Sequence, residues 1–183
     1  YRLDKATFEN ISENVILSFI LSSYTFSFFK KNNKPKVKLN FSLKEFERVI
    51  LIAKSEYLVR NMVNMPANYL NTQQLANICK DYKKLSHVSV KEIIGENLLK
   101  KNFPLVHEVG KASKNKPRLI EIIWKNNPKF PEIVLVGKGV CFDSGGLNLK
   151  TNSSILLMKK DMAGSANALG LAYLIIKLNL KFN

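Results

Sequence analysis

Four charged residues have types and spacing that could do chemistry: Lys138, Asp143, Lys150 and Asp161, separated by 5, 7 and 11 positions. Carboxylate oxygens suit magnesium, calcium or manganese, so Asp143 and Asp161 could converge on one cation. A lysine can join such a site only as a neutral amine, because a nearby metal would have to depress its pKa far below ~10.4. A second lysine that stays protonated would suit the stabilisation of an oxyanion.

Glycines surround these charges in the stretch "VGKGVCFDSGGLNLK" at 136–150. They flank Lys138 on both sides and follow Asp143 as a pair, where they let the backbone turn sharply or approach a ligand closely. The β-branched run 132–137 is predicted to be a buried strand, and open α/β sheets place their sites just beyond strand ends. Asp161 precedes a predicted helix over 163–178, whose N-terminus favours a carboxylate.

Residue types alone do not distinguish a metal site from two aspartates with purely structural roles, because an Asp after a strand and an Asp before a helix are common features. Other chemistries have less support. The chain has no GxxxxGK[ST] motif, and His87 and His107 lack HExxH spacing, so we expect both to be surface or strand residues. Ser144 has no identifiable base. Cys141 has apolar flanks typical of an inert buried thiol.

The stretch "VGKGVCFDSGGLNLK…LLMKKDMAGSA" at 136–166 closely resembles the signature region of leucyl aminopeptidases, which are cytosolic dinuclear-metal exopeptidases. "LVRNMVNMPANYLNTQQLA" at 58–76 is similar to the segment that opens the catalytic domain of that family. "HEVGKASKNKPRLIEIIW" at 107–124 is similar to its next strand region. The resemblance therefore runs from about residue 45 to residue 183.

The resemblance implies a role for each matching residue. Lys138 would be a neutral amine ligand to one metal, Asp143 would bridge two metals, and Asp161 would complete the Lys138 side. Lys150 would polarise the scissile carbonyl, and Met158 would line the pocket for the first side chain of the substrate. The family implies two divalent ions (manganese or zinc), peptide substrates with leucine-like N-terminal residues, and a homo-hexamer.

One part of the family pattern is missing from this sequence. The family carries an Asn-Thr-Asp-Ala-Glu-Gly-Arg type motif downstream of the position of Asp161, whereas this chain has no acidic residue after Asp161. We therefore expect a truncated or decayed member with little activity alone and at most one metal site largely formed. Residues 1–40 are expected to be the tail of an N-terminal domain and a linker, and 41–183 the first part of the catalytic domain.

Hydrophobic periodicity predicts the elements that must position these residues. Helices are expected after residue 12, over 46–65 ending before Pro66, from Asn71 or Thr72, from Glu96, and over 163–178. Strands are expected at 24–28, 88–94, 119–124 and 132–137. Strands that alternate with helices indicate an α/β fold. We expect a mixed sheet flanked by helices, as an incomplete first half of the aminopeptidase catalytic domain.

The composition leaves one competing function open. A net charge of +15 could indicate a nucleic-acid partner, and a non-catalytic basic binding protein or a remnant without function stays as an alternative. The densest basic run, 30–38, has no stacking aromatics between its five lysines and is more typical of a solvated linker. Two cysteines without CxxC spacing, and no signal peptide, favour a cytoplasmic protein without a membrane span.

Overall fold

A computed structural model describes residues 12–30 and 46–183 of the chain. The expected domain boundary near residue 40 and nearly all of the basic run lie outside the described residues. The helices are α1 Glu13–Ser22, α2 Glu47–Asn64, α3 Thr72–Asp81, α4 Asn97–Lys100, α5 Pro104–Gly110, α6 Asn152–Ile155 and α7 Ala163–Lys177. Short 3-10 turns cover Tyr82–Lys84, Ser144–Gly146 and Met158–Lys160, and the strands are β1 Val88–Ile94 and β2 Arg118–Trp124.

Local sequence signals set the boundaries of α2 and α3. Helix α2 ends at Asn64, before Pro66, as predicted, because proline disfavours helical backbone in the residue that precedes it. Asn71 caps α3, since its side-chain oxygen accepts hydrogen bonds from the backbone N–H groups of Gln73 (2.9 Å) and Gln74 (3.1 Å). No helix within the described ranges is long and apolar enough to cross a bilayer.

Strands β1 and β2 form a two-stranded antiparallel sheet in which Val88 pairs with Trp124 and Ile94 pairs with Arg118. Apolar residues on one face of each strand pack against the core. The α/β class is therefore confirmed, with helices around a small antiparallel sheet.

Two predicted strands do not form. Residues 24–28 are irregular, and their aromatic rings pack on one another: the ring centroids of Phe28 and Phe29 are 4.8 Å apart, and that of Phe29 lies 5.0 Å from that of Tyr69. Residues 132–137 form no strand either, because a strand needs a hydrogen-bonded neighbour and this segment pairs with neither β1 nor β2. Consequently Val134 is 84% exposed and Val136 is 91% exposed, although both were expected to be buried.

Helix α7 is the structural centre that links α2, α3 and the loops after β2. Ser55 on α2 donates a hydrogen bond to the Gly170 carbonyl at 2.7 Å, and a Cβ at Gly170 would lie only 2.6 Å from Val59. The Tyr82 hydroxyl, just after α3, donates to the Leu169 carbonyl at 2.6 Å. The helix was expected to be buried all round, but one face is buried and Leu171 is 46% exposed.

A buried ion-pair cluster joins α3 to both strands. Glu92 on β1 accepts from Lys80 Nζ at 2.6 Å and from Arg118 Nη1 at 2.8 Å, and Arg118 Nη2 donates to Gln73 Oε1 at 3.0 Å. The Arg118 side chain is 6% exposed and that of Glu92 is 12% exposed. Burial acts to raise the pKa of Glu92, but together the hydrogen bonds and charges of Lys80 and Arg118 outweigh it and hold that pKa below its usual value.

We predict that Arg118→Ala lowers the free energy of unfolding by about 3 kcal/mol at pH 7, because it leaves the shielded Glu92 carboxylate with only one cation. The Glu92 contribution is fully present above its unfolded pKa of 4.5 and is lost as pH falls through the lower folded pKa. The difference from the parent chain should therefore shrink in acid. Urea unfolding at several pH values measures both effects.

The matched control is Lys91→Ala on the same sheet. Lys91 Nζ lies 3.8 Å from Glu121 Oε2 across the two strands, but the two side chains are 69% and 57% exposed. Loss of such a solvated pair should cost less than about 1 kcal/mol. An equal loss of unfolding free energy in both variants would show that the Arg118–Glu92 pair stabilises the chain no more than a solvated surface pair does.

Candidate functional site

Lys138 is held in place by close contact between two stretches of backbone. The Ser165 N–H, in the first turn of α7, donates to the Lys138 carbonyl at 2.8 Å. A Cβ at Gly137 would lie 2.6 Å from Ser165 Cα, and a Cβ at Gly164 would lie 2.9 Å from the Lys138 nitrogen. Both contacts are shorter than a side chain allows, so glycine is required on each side.

This contact places Lys138 beside Asp161. Lys138 Nζ is 2.5 Å from Asp161 Oδ1, with side chains 61% and 33% exposed. The Asp161 N–H donates to the Met158 carbonyl at 3.0 Å, at the end of the short turn before α7. Lys138 and Asp161 therefore form one ion pair, although they are 23 residues apart in the sequence.

Asp143 and Lys150 form the second ion pair. Lys150 Nζ lies 2.5 Å from Asp143 Oδ2, and the Ser144 hydroxyl lies 3.3 Å from Asp143 Oδ1. The hydrogen bond from Lys150 is the main cause that holds the pKa of Asp143 below its usual value. Lys150 Nζ also lies 3.9 Å from Met158 Sδ, so the ammonium group borders a side chain that is 5% exposed.

The loop that carries Asp143 has a left-handed backbone over three consecutive residues, with φ of 54° at Ser144, 71° at Gly145 and 93° at Gly146. The segment after α5 holds this loop: the Ala112 N–H donates to the Gly145 carbonyl at 2.9 Å. A Cβ at Gly146 would lie 2.3 Å from Ser113 Cβ, so only glycine fits there. The glycine pair therefore fixes the backbone position from which the Asp143 side chain extends.

The five candidate residues thus meet as one pair and one triplet: Lys138 with Asp161, and Asp143 with Lys150 and Met158. Within the described ranges, no group of three or more His, Cys, Asp or Glu side chains could hold a metal ion. Asp143 and Asp161 offer carboxylate oxygens of the kind that divalent cations prefer, at solvent-accessible positions, and each is paired with a lysine ammonium group. Lys138 could add a nitrogen ligand only as the neutral amine.

The cysteine and histidine expectations had different outcomes. Cys141 is a buried thiol as predicted, 4% exposed, and burial raises its pKa to about 11. His107 is neither a surface nor a strand residue: it lies in α5, is 8% exposed, and places Nε2 3.3 Å from Glu96 Oε1.

Sequence reasoning also missed the positioning roles of Ser113 and Ser165. The small residues in "KDMAGSA" were the available signal for the latter, because small side chains allow close backbone contact.

Comparison with known proteins decides the family. The model of the cytosol aminopeptidase family catalytic domain matches residues 57–183. The chain belongs to the cytosol aminopeptidase family. A probable cytosol aminopeptidase of Clostridium perfringens is 32% identical over 193 aligned residues, covering 96% of this chain and 39% of that protein.

Solved structures of cytosol and leucyl aminopeptidases have the same fold. The cytosol aminopeptidase of Coxiella burnetii superposes with a TM-score of 0.84 at 40% identity, over 93% of this chain and 37% of that one. The bottromycin maturation enzyme BotP in complex with Mn superposes with a TM-score of 0.76 at 25% identity, again over 93% and 37%. This chain therefore spans about two fifths of the length of these relatives.

We predict that Lys150→Ala raises the pKa of the Asp143 carboxyl toward 3.8, because the ammonium group that stabilises its charged form is removed. A carboxyl-carbon NMR titration measures this pKa directly. The control is Lys159→Ala, since that lysine is exposed and makes no described contact with Asp143. An unchanged Asp143 titration in Lys150→Ala would contradict the pairing.

Proposed function

We propose that residues 46–183 form part of a metallo-aminopeptidase that removes leucine-like residues from the N-terminus of peptides. The observation that carries the proposal is the pairing of Lys138 with Asp161 and of Asp143 with Lys150, at the start of α7 and on the glycine loop. Membership of the cytosol aminopeptidase family supports the reaction class. The name of that family also supports a cytosolic location.

Lys138, Asp143 and Asp161 are the residues that we propose as metal ligands. Two divalent ions, manganese or zinc, are proposed for the complete site, and the Mn complex of the structurally similar BotP supports manganese. When bound, such ions lower the pKa of a coordinated water and polarise a carbonyl. Lys138 would bind as a neutral amine, so metal uptake should release its proton and weaken as pH falls.

Lys150 is proposed to act on the substrate rather than on the metal. Its ammonium group hydrogen-bonds to Asp143, and it would become free to approach a carbonyl oxygen when that carboxylate turns toward a cation. A positive charge there would stabilise the negative charge that develops on this oxygen. Met158, which borders the Lys150 ammonium, would provide an apolar wall for the first side chain of the substrate.

The polypeptide 1–183 alone is proposed to have little or no activity. It has no acidic residue after Asp161, so the carboxylates present supply only part of the ligands that two ions require. The exposed positions of Lys138 and Lys150 also leave water in contact with both pairs, which weakens electrostatic stabilisation.

We predict that purified 1–183 with manganese or zinc gives no measurable hydrolysis of leucine-p-nitroanilide, while a longer cytosol aminopeptidase in the same assay does. It should still take up metal weakly in calorimetry, and Lys138→Ala should reduce that uptake at least tenfold. Robust metal-dependent turnover would contradict the proposed inactivity.

The same purified chain also tests the alternative that it is a non-catalytic basic protein that binds nucleic acid. A salt-dependent mobility shift with DNA, with no metal uptake by the parent chain, would overturn the metal-site proposal in favour of nucleic-acid binding. Lys159→Ala is the matched control for Lys138→Ala, because it removes one exposed lysine charge outside both ion pairs.

A further inference from the structure

The side chain of Asn183 uses its whole hydrogen-bonding capacity on the loop 126–130. Asn183 Oδ1 accepts from the backbone N–H groups of Asn126 at 2.9 Å and Asn127 at 3.1 Å. Asn183 Nδ2 donates to the carbonyl oxygens of Asn127 at 2.6 Å and Phe130 at 2.8 Å. A primary amide has two acceptor lone pairs and two donor hydrogens, so all four are engaged. A carboxylate or an alkyl group of similar size could not make this set of bonds.

The backbone of Asn183 is bonded to the residues that follow this loop. The Ile133 N–H donates to the Asn183 carbonyl at 3.0 Å, and the Asn183 N–H donates to the Pro131 carbonyl at 2.9 Å. Asn183 lies just beyond α7, where the Leu180 N–H bonds back to the Ile175 carbonyl at 3.1 Å. One residue therefore attaches the whole approach to position 133 to the C-terminal end of α7.

Residues 131–138, which we call the strap, are held at both ends of α7. Asn183 binds the strap beyond the C-terminal end of the helix, and the Ser165 N–H in its first turn binds the Lys138 carbonyl at 2.8 Å. The strap therefore runs from one end of α7 to the other. The position of Lys138 depends on both attachments.

The strap has little slack between its attachments. Exposure over 133–136 alternates at 39%, 84%, 38% and 91%, and a period of two is the signature of extended backbone. The five steps from Ile133 to Lys138 cover ~17 Å in that conformation, which is close to the maximum reach of a chain. The 15 residues of α7 rise ~22 Å. A shift of the strap at Ile133 is therefore passed on to Lys138 rather than absorbed between them.

We propose that Asn183 is a positioning residue for the Lys138–Asp161 ion pair and acts through the strap. By fixing the start of the strap, it sets where Lys138 meets the first turn of α7. That meeting has no tolerance, since a Cβ at Gly137 would lie only 2.6 Å from Ser165 Cα. The importance of Asn183 for metal binding rests on the proposed function, whereas the position of Lys138 is a property of the chain itself.

Hydrogen exchange of single amides in Asn183→Asp tests the proposal. The variant keeps the shape of the side chain but turns a carboxylate oxygen toward two carbonyl oxygens, so two hydrogen bonds become repulsive contacts. The Ser165 N–H, which closes the contact on Lys138, should exchange about tenfold faster at neutral pH. The Ala112 N–H, which holds the glycine loop through Gly145, should keep its parent rate.

A pH profile separates positioning from a general loss of stability. In acid the new carboxyl group becomes protonated and can donate one hydrogen bond, so protection of the Ser165 amide should partly return relative to the parent chain at the same pH. Asn183→Ala loses all four side-chain bonds without adding a charge. It should also speed Ser165 exchange, but with no recovery in acid, and it keeps the test available if Asn183→Asp does not fold.

Asn97→Asp is the matched control, because it makes the same chemical change at an exposed position on α4. It should leave both amides at their parent rates. Unchanged Ser165 exchange in Asn183→Asp and Asn183→Ala would overturn the proposal. An equal loss of protection at Ser165 and Ala112 would also overturn it, because that result indicates global destabilisation.

Manganese titration by calorimetry separates this inference from the proposed function. If Lys138 is a metal ligand, Asn183→Asp should bind manganese more weakly than the parent chain and Asn97→Asp should not. Faster Ser165 exchange with unchanged manganese binding would support the positioning role of Asn183 and contradict the role of Lys138 as a ligand.

Discussion

The contact between the 137–139 backbone and the first turn of α7 is the constraint on which the candidate site depends. Gly137 and Gly164 remove the side chains that would separate the two stretches, and the Ser165 N–H closes the contact on the Lys138 carbonyl at 2.8 Å. Because Asp161 immediately precedes α7, this one approach brings a lysine and a carboxylate together. Any side chain at either glycine would move one partner of that ion pair.

The position of α7 is set in turn by the core. Gly170 lets α7 lie against α2, where Ser55 bonds to its carbonyl, and Tyr82 bonds to the neighbouring Leu169 carbonyl from the α3 side. The Asp143 pair depends on a separate support, the Ala112–Gly145 hydrogen bond after α5. The site is therefore assembled from two independently held halves, one on α7 and one on the glycine loop. This division explains why its charges meet in two groups.

Much of this arrangement could be predicted from local sequence signals. Asn71 marked the start of α3, Pro66 limited α2, and the β-branched runs at 88–94 and 119–124 matched β1 and β2. The resemblance of the stretch 136–166 to the leucyl aminopeptidase signature indicated the family before any coordinates. The resemblance implied that Lys138 and Asp161 lie together, but the ion pair between Asp143 and Lys150 could not be predicted. That pair depends on the backbone of the glycine loop and its contact with Ala112, which no local pattern encodes.

The wrong predictions share a physical cause. An apolar β-branched run such as 132–137 shows that a segment suits a strand, but a strand exists only where a neighbour completes its hydrogen bonds. The strand predicted at 24–28 is also absent, and the rings of Phe28 and Phe29 pack against Tyr69 while remaining more than half exposed. His107 gave no signal of burial, because its position in α5 depends on packing between short helices.

The most direct measurement is NMR of the isotopically labelled chain during titration with manganese, whose unpaired electrons broaden signals from nearby nuclei. If the two halves form a metal site, the first signals lost should be those of Lys138, Asp143 and Asp161, while Glu92 and Glu121 keep theirs. Equal broadening at all exposed carboxylates, or first loss at pairs such as Asp81–Lys84, would contradict a specific site on α7 and the glycine loop.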